Sequence, residues 1–175
     1  MQKIQPVIFL IPIIVLMFVC LLYFHLLKKA VDKKTFKTFI FIMIVIAFLL
    51  NFAWELLQLP LYNNPAYDIE HIAFCALASL ADVLMVLLLY LGLGFIFKDF
   101  FWMQDLKWQR VFPLVLIGGG GAVLSEMRHL SLGSWEYAKS MPLLPFVKVG
   151  IAPVLQFMIL PVLIYFLSYK LLKKQ

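Results

Sequence analysis

Apolar residues run along this chain in five long blocks, about 6–27, 38–61, 71–97, 111–130 and 148–169, separated by short polar stretches. Each block is long enough to cross a hydrocarbon layer of about 30 Å, which takes roughly 20 helical residues. Backbone groups in such a layer must be satisfied within the segment, so the blocks are predicted to be helices. The predicted fold is all-α: one polytopic membrane bundle over 1–175, with five transmembrane helices and no soluble domain. The first block is read as a retained span, because no small-residue cleavage site follows it and its positive flank lies behind it.

Composition agrees with this pattern. Of 175 residues, 65% are hydrophobic and 14% charged, with a mean hydropathy of +1.00, well away from soluble globular domains. The net charge of +6 is a topology signal. Lys28, Lys29, Lys33, Lys34, Lys37, Lys98, Lys107, Arg110, Lys170, Lys173 and Lys174 all flank the same side of the predicted spans. The positive-inside rule then puts the N-terminus outside and the C-terminus inside a plasma (cytoplasmic) membrane. These basic residues face lipid headgroups, so nucleic acid is not an expected partner; membrane lipids and a hydrophobic small-molecule substrate are. Oligomeric state is left open. A disulfide between Cys20 and Cys75 is not expected, since the two lie at different depths.

Two connections stand out. The stretch 98–110 sets Phe100, Phe101, Trp102, Leu106 and Trp108 among charges, as in a segment lying in the headgroup zone. The stretch 131–150 carries Trp135 and Tyr137, and its Met141 to Phe146 portion is too apolar for open water; it is expected to fold back over the bundle as a lid. Gly118 to Gly121 form a run in span four that either packs closely on a neighbour or opens the helix locally. Pro153 and Pro161 suggest bends in span five.

Polar residues are few and segregated. Counted at 1.5 Å per residue from the nearer span end, Glu126 lies about 6 Å deep, Glu55 about 9 Å, Gln156 about 12 Å and Asp82 about 16 Å, all in the outer half. Asn51, Glu55, Gln58 and Tyr62 follow i, i+4, i+7, i+11, one helical face with Trp54 beside it; His71, Cys75, Ser79 and Asp82 repeat the step. Span four ends on Ser125, Glu126, Arg128 and His129. Carboxyls are costly in hydrocarbon and face bundle interiors or cavities, where they mark function. An acid shielded from water can keep its proton and donate it, whereas a neighbouring Arg128 would hold it ionised.

Other readings of the same residues stand beside this one. Glu55 or Asp82 paired with Arg128 would glue helices, and Asn51, Gln58 and Gln156 would add interhelical hydrogen bonds. Metal ligation by His71 or His129 with Asp68, Glu70 or Glu126 matches no known ligand spacing, so neither a metal nor another cofactor is expected. Serine nucleophiles are not supported by any elbow motif.

The stretch Asn51-Phe52-Ala53-Trp54-Glu55 resembles the Asn-x-x-Trp-Glu motif of the integral membrane terpene cyclases of meroterpenoid pathways. That resemblance implies Glu55 as an acid protonating an isoprenoid alkene or epoxide, supported by Asn51 and Trp54. Glu55-Leu56-Leu57-Gln58-Leu59-Pro60 is similar to the glutamate segment of the sigma-2 receptor and sterol isomerase superfamily, which implies a small bundle holding amines or carbocations. The pattern Trp135-x-Tyr137, Met141-Pro142 and Gly-x-x-Pro-x-x-x-Gln resembles small bacterial membrane proteins and implies no activity.

The expected function is a lipid- or isoprenoid-modifying enzyme, a cyclase or isomerase, using general acid chemistry. Glu55 or Asp82 would donate a proton, Glu126 or His129 would receive one, and Trp54, Tyr62, Tyr67 and Trp135 would line the site with Asn51, Gln58, Arg128 and Gln156. A proton-coupled transporter and a non-enzymatic lipid-binding accessory protein are the other classes this pattern permits.

Overall fold

Helix starts are set by aspartates. Asp32 caps α2 (Lys33–Gln58) by accepting from the Lys34 and Thr35 amides at 2.9 and 3.1 Å, and Asp68 caps α3 (Ile69–Phe97) by accepting from the His71 amide at 2.9 Å. Each satisfies donors that the first helical turn leaves without intrahelical partners. These bonds hold both carboxyls below the usual carboxylate range, led by the Thr35 hydroxyl at Asp32 and by the His71 amide at Asp68. The remaining helices are α1 (Leu10–Lys29), α4 (Trp108–Ser131) and α5 (Ile151–Leu172), and a 3-10 turn, Leu59–Leu61, extends α2.

The computed structural model describes residues 10–104 and 107–174; Lys3, Leu106 and the first residues of the predicted first span lie outside them. All five helices are long and apolar enough to cross a membrane. The chain is therefore an all-helical, multi-pass membrane protein. Pro153 stands in the first turn of α5, where no backbone donor is lost, and α5 runs unbroken through Pro161 as well.

Helix neighbours follow the order α1, α3, α2, α5, α4: α2 packs on both α3 and α5, α4 on α5, and α1 on α3. This row of helices does not close into a ring, and α3 and α4 barely meet. Only Val15, Val19 and Leu26 of α1 are buried, as expected for a helix that faces lipid along most of its surface.

Gly118 and Gly119 explain how α4 approaches α5. A Cβ on Gly118 would stand 2.4 Å from the Phe157 backbone oxygen, and one on Gly119 would stand 2.9 Å from Met158. Close approach through small residues is how helices gain packing in lipid. A Cβ on Gly120 or Gly121 would meet nothing within 4 Å, so half of the glycine run packs and half leaves space. The helix is continuous through all four.

Within the 98–110 stretch, predicted to lie in the headgroup zone, residues 98–104 instead turn inward. Trp102 is fully buried and Met103 nearly so. The Trp102 indole donates to the Tyr90 carbonyl at 3.1 Å, the Tyr90 hydroxyl to the Phe100 carbonyl at 2.6 Å, and the Tyr165 hydroxyl to the Val86 carbonyl at 2.7 Å. Arg110 fastens the plug, bonding the Trp102 carbonyl at 2.5 Å and pairing with Asp99 at 2.9 Å. A buried aromatic with its polar atom satisfied gains the full burial of a large ring. Among the described residues named for the interface, Trp108 alone is strongly exposed, at 71%. This aromatic plug closes the lysine-flanked end of the bundle.

The opposite end carries a roof. Asn63 donates its amide to the Glu136 carbonyl at 2.9 Å, Ala138 to the Leu61 carbonyl at 3.0 Å, and Leu144 to the Val149 carbonyl at 2.7 Å. Met141 is buried and packs where a Gly150 side chain would otherwise sit. Phe146, in contrast, is fully exposed at a left-handed φ of 72°. The 132–150 loop thus lies across the bundle end, tied to the segment that follows α2.

Candidate functional site: an acid-lined cavity beneath the roof

Between the roof and the plug lies a cavity of about 1800 Å³. Its walls come from α3 and α4 on the two sides of the open seam, from Ile11, Pro12 and Val15 near the start of α1, from the ends of α2 and α5, and from the roof. Glu55, Gln58, Tyr62, Asp82, Glu126, His129, Trp135 and Gln156 all line it, with Cys75 and Ser125.

Gln156 is the centre of one half of the site. Its Nε2 donates to Asn51 Oδ1 at 3.0 Å, to Asp82 Oδ2 at 3.0 Å and to Glu55 Oε1 at 3.3 Å. Gln58 Nε2 adds a bond to Glu55 Oε1 at 2.9 Å and one to Gln156 Oε1 at 3.3 Å, while the Trp54 indole donates to Gln58 Oε1 at 3.2 Å. Asn51 turns its own amide to the Ala47 carbonyl at 2.8 Å, which leaves its oxygen facing Gln156. Two carboxyls from different helices therefore share one amide nitrogen. Three helices are tied by this network, and buried amides satisfied in this way rigidify a site.

Glu55, Gln156 and Asp82, counted at three different depths, meet here because α3 overhangs its neighbours. Asp82 lies thirteen residues into α3 and Gln156 five into α5, so the first roughly two turns of α3 project past the bundle end. Ile69, Glu70 and Ile72 are accordingly exposed.

The second half belongs to α4 and the roof. Glu126 is buried and accepts from the Trp135 indole at 3.2 Å and from the Tyr137 hydroxyl. Residues 135 and 137 are two apart in extended backbone, which points both side chains the same way. Burial, and next the bond it donates to Glu126, pushes the Tyr137 hydroxyl up, so it stays a neutral donor. Burial also pushes Tyr62 up, with the charges of Glu126 and Glu55 adding to it. His129 stacks on Trp135 with ring centres 4.2 Å apart and sits 3.3 Å from the Ser134 hydroxyl. Tyr137 is not among the expected site residues; the spacing Trp-x-Tyr opposite a helix ending in glutamate is its signal in the sequence.

No family model matches the chain, and no curated protein or solved structure matches it. What it can do must be read from the cavity itself.

Several expected site residues lie elsewhere. Arg128 does not line the cavity, and no ion pair of it with an acid is found among the described residues; its Nη1 is buried without a hydrogen-bond partner. The acids are therefore held by amides, an indole and a phenol, not by a guanidinium. Asn51 and Trp54 stand behind the wall and position Gln156 and Gln58. Tyr67 is 62% exposed and bonds the Leu56 carbonyl, away from the cavity. Ser79 turns back to bond the Cys75 carbonyl at 2.7 Å. His71 does reach the cavity wall, where it pairs with Asp68 at 2.8 Å, and among the described residues no three His, Cys, Asp or Glu side chains are grouped to hold a metal.

Proposed function

We propose that this protein is a membrane enzyme that modifies a lipid or isoprenoid by general acid chemistry in the acid-lined cavity. The observation that carries this reading is the placement of Glu55, Asp82 and Glu126 on one apolar cavity with two of them bonded to the same amide of Gln156. Glu55 or Asp82, protonated, would give its proton to a carbon of a substrate double bond; the π pair becomes the new C–H bond and leaves a cation on the adjacent carbon. Tyr62 and Trp135 face that space, and aromatic rings stabilise such a cation. Loss of a proton to Glu126 or His129 would then yield an isomerised or cyclised product, with no oxidant or cofactor in the balance. The resemblance of Asn51 to Glu55 to the terpene cyclase motif points to the same chemistry.

The lysine-flanked end is taken as cytoplasmic and the roofed end as external, in a plasma membrane. A transporter would need a route through the lysine-flanked end, where Trp102 and Met103 are buried in a packed plug. That contact favours a closed-ended reaction chamber.

The test is solvent deuterium. Purified protein in lipid nanodiscs is incubated in heavy water with a total extract of apolar lipids, and products are analysed by mass spectrometry. Deuterium appearing in a carbon-bound position only when protein is present is the expected result; its absence from every lipid would overturn the enzymatic reading.

A further inference from the structure

We propose that the cavity takes an amphiphile sideways from the bilayer through the seam between α3 and α4. Its head donates hydrogen bonds and carries no negative charge, and its chain lies along α3. The inference deepens the reading of the cavity as a ligand site without depending on turnover.

The path follows from which sides are shut. The roof covers one end through the Tyr62 and Tyr137 backbone pairing, and the Trp102 plug covers the other. Of the two helices flanking the seam, α3 presents Leu84, Leu88 and Ile96 to the cavity and α4 presents Ile117 and Gly121. These are apolar, and they border helices that scarcely touch. At Gly121 an added Cβ would meet nothing, whereas at Gly118 it would strike backbone. The glycine run thus fixes α4 to α5 while keeping its seam side thin.

Chain length follows from the lining. On α3 the cavity wall extends from Glu70 to Ile96, and from Asp82 to Ile96 the helix advances about 21 Å at 1.5 Å per residue. That is room for a long acyl or prenyl tail below the polar cluster.

The chemistry of the head follows from a donor and acceptor inventory. The amide hydrogens of Gln58 and Gln156 are directed at Glu55, Asp82 and their neighbours, and the Trp135 indole N–H and Tyr137 hydroxyl at Glu126. A carboxylate offers about four acceptor positions, so apart from the one proton that the proposed acid carries, unused capacity in the cluster is accepting. No lysine or arginine lines the cavity among the described residues. A phosphate head would meet carboxyls with no compensating cation in a medium of low dielectric, which is unfavourable. A hydroxyl or ammonium head supplies what the acids lack.

Three photoreactive probes with the same chain and glycerol, ammonium or phosphate heads test this on the full chain in nanodiscs, with adducts mapped by mass spectrometry. Saturable labelling of cavity-lining positions on α3 and α4 by the glycerol or the ammonium probe is expected, with the phosphate probe weaker by about tenfold. Which of the two succeeds identifies the head. Gly121→Phe should reduce that labelling by about tenfold, while Gly120→Phe, on the lipid side of the same helix, should leave it unchanged. Competition by unlabelled probe on the unaltered chain keeps the test valid if Gly121→Phe fails to fold. Equal labelling by the phosphate probe, or adducts scattered over outer helix faces and insensitive to competitor, would overturn the proposal. Labelling as expected without deuterium incorporation would retain this inference and remove the enzymatic one.

Discussion

Glu55→Gln is expected to reduce protein-dependent deuterium incorporation by at least about 100-fold, the lower range for loss of a general acid, with the protein remaining folded and monodisperse. The substitution is close in shape. Gln58 and Gln156 both donate to Glu55 Oε1, and a glutamine keeps an oxygen there to accept from them. What it removes is the transferable proton. Asp82→Asn should act similarly, since Asp82 shares the Gln156 amide. Undiminished incorporation in Glu55→Gln, measured under identical lipid and protein concentrations, would take Glu55 out of the mechanism.

Trp102→Ala should cost about 3–5 kcal/mol of unfolding free energy, the range for deleting a buried aromatic. Its ring packs against Tyr90, Phe97 and Tyr165 with centroid separations of 5.4, 5.4 and 5.8 Å, and truncation leaves the Tyr90 carbonyl without the indole donor. Trp108→Ala, at a strongly exposed position, should stay within about 0.5 kcal/mol of the parent. Reversible unfolding in a fixed bilayer composition reads the difference; equal shifts in the two variants would mean that the plug is not a stabilising unit.

How far these features can be read without coordinates differs by residue. Span number and approximate bounds follow from block length, because the hydrocarbon layer leaves the backbone no alternative to helix. The shared face of Asn51, Glu55 and Gln58 follows from helical period, since all three stand in one unbroken helix. Arg128 shows the limit of that reasoning: the period fixes where its Cβ starts, not where a long flexible side chain carries the guanidinium. Depth counting separated Asp82 from Glu55 because it assumed that the helices end level, whereas α3 overhangs. The aromatic connection around Trp102 was misplaced for a different reason. An apolar loop rich in rings suits a headgroup layer and a gap between helix ends equally well, and only the bundle shows that the gap exists.

If the chamber is entered from the bilayer as proposed, Glu55 and Asp82 are reached from the membrane and screened from water. Carbodiimides of opposite solubility test it most directly, applied to the protein in nanodiscs with modified carboxyls located by peptide mass spectrometry. A lipid-soluble carbodiimide should modify Glu55 and Asp82, while a water-soluble one should modify the exposed Glu70 and Glu136 at the roofed end and spare the inner pair. Reaction of Glu55 and Asp82 with the water-soluble reagent as fast as Glu70, or no reaction of either with the lipid-soluble one, would contradict the account.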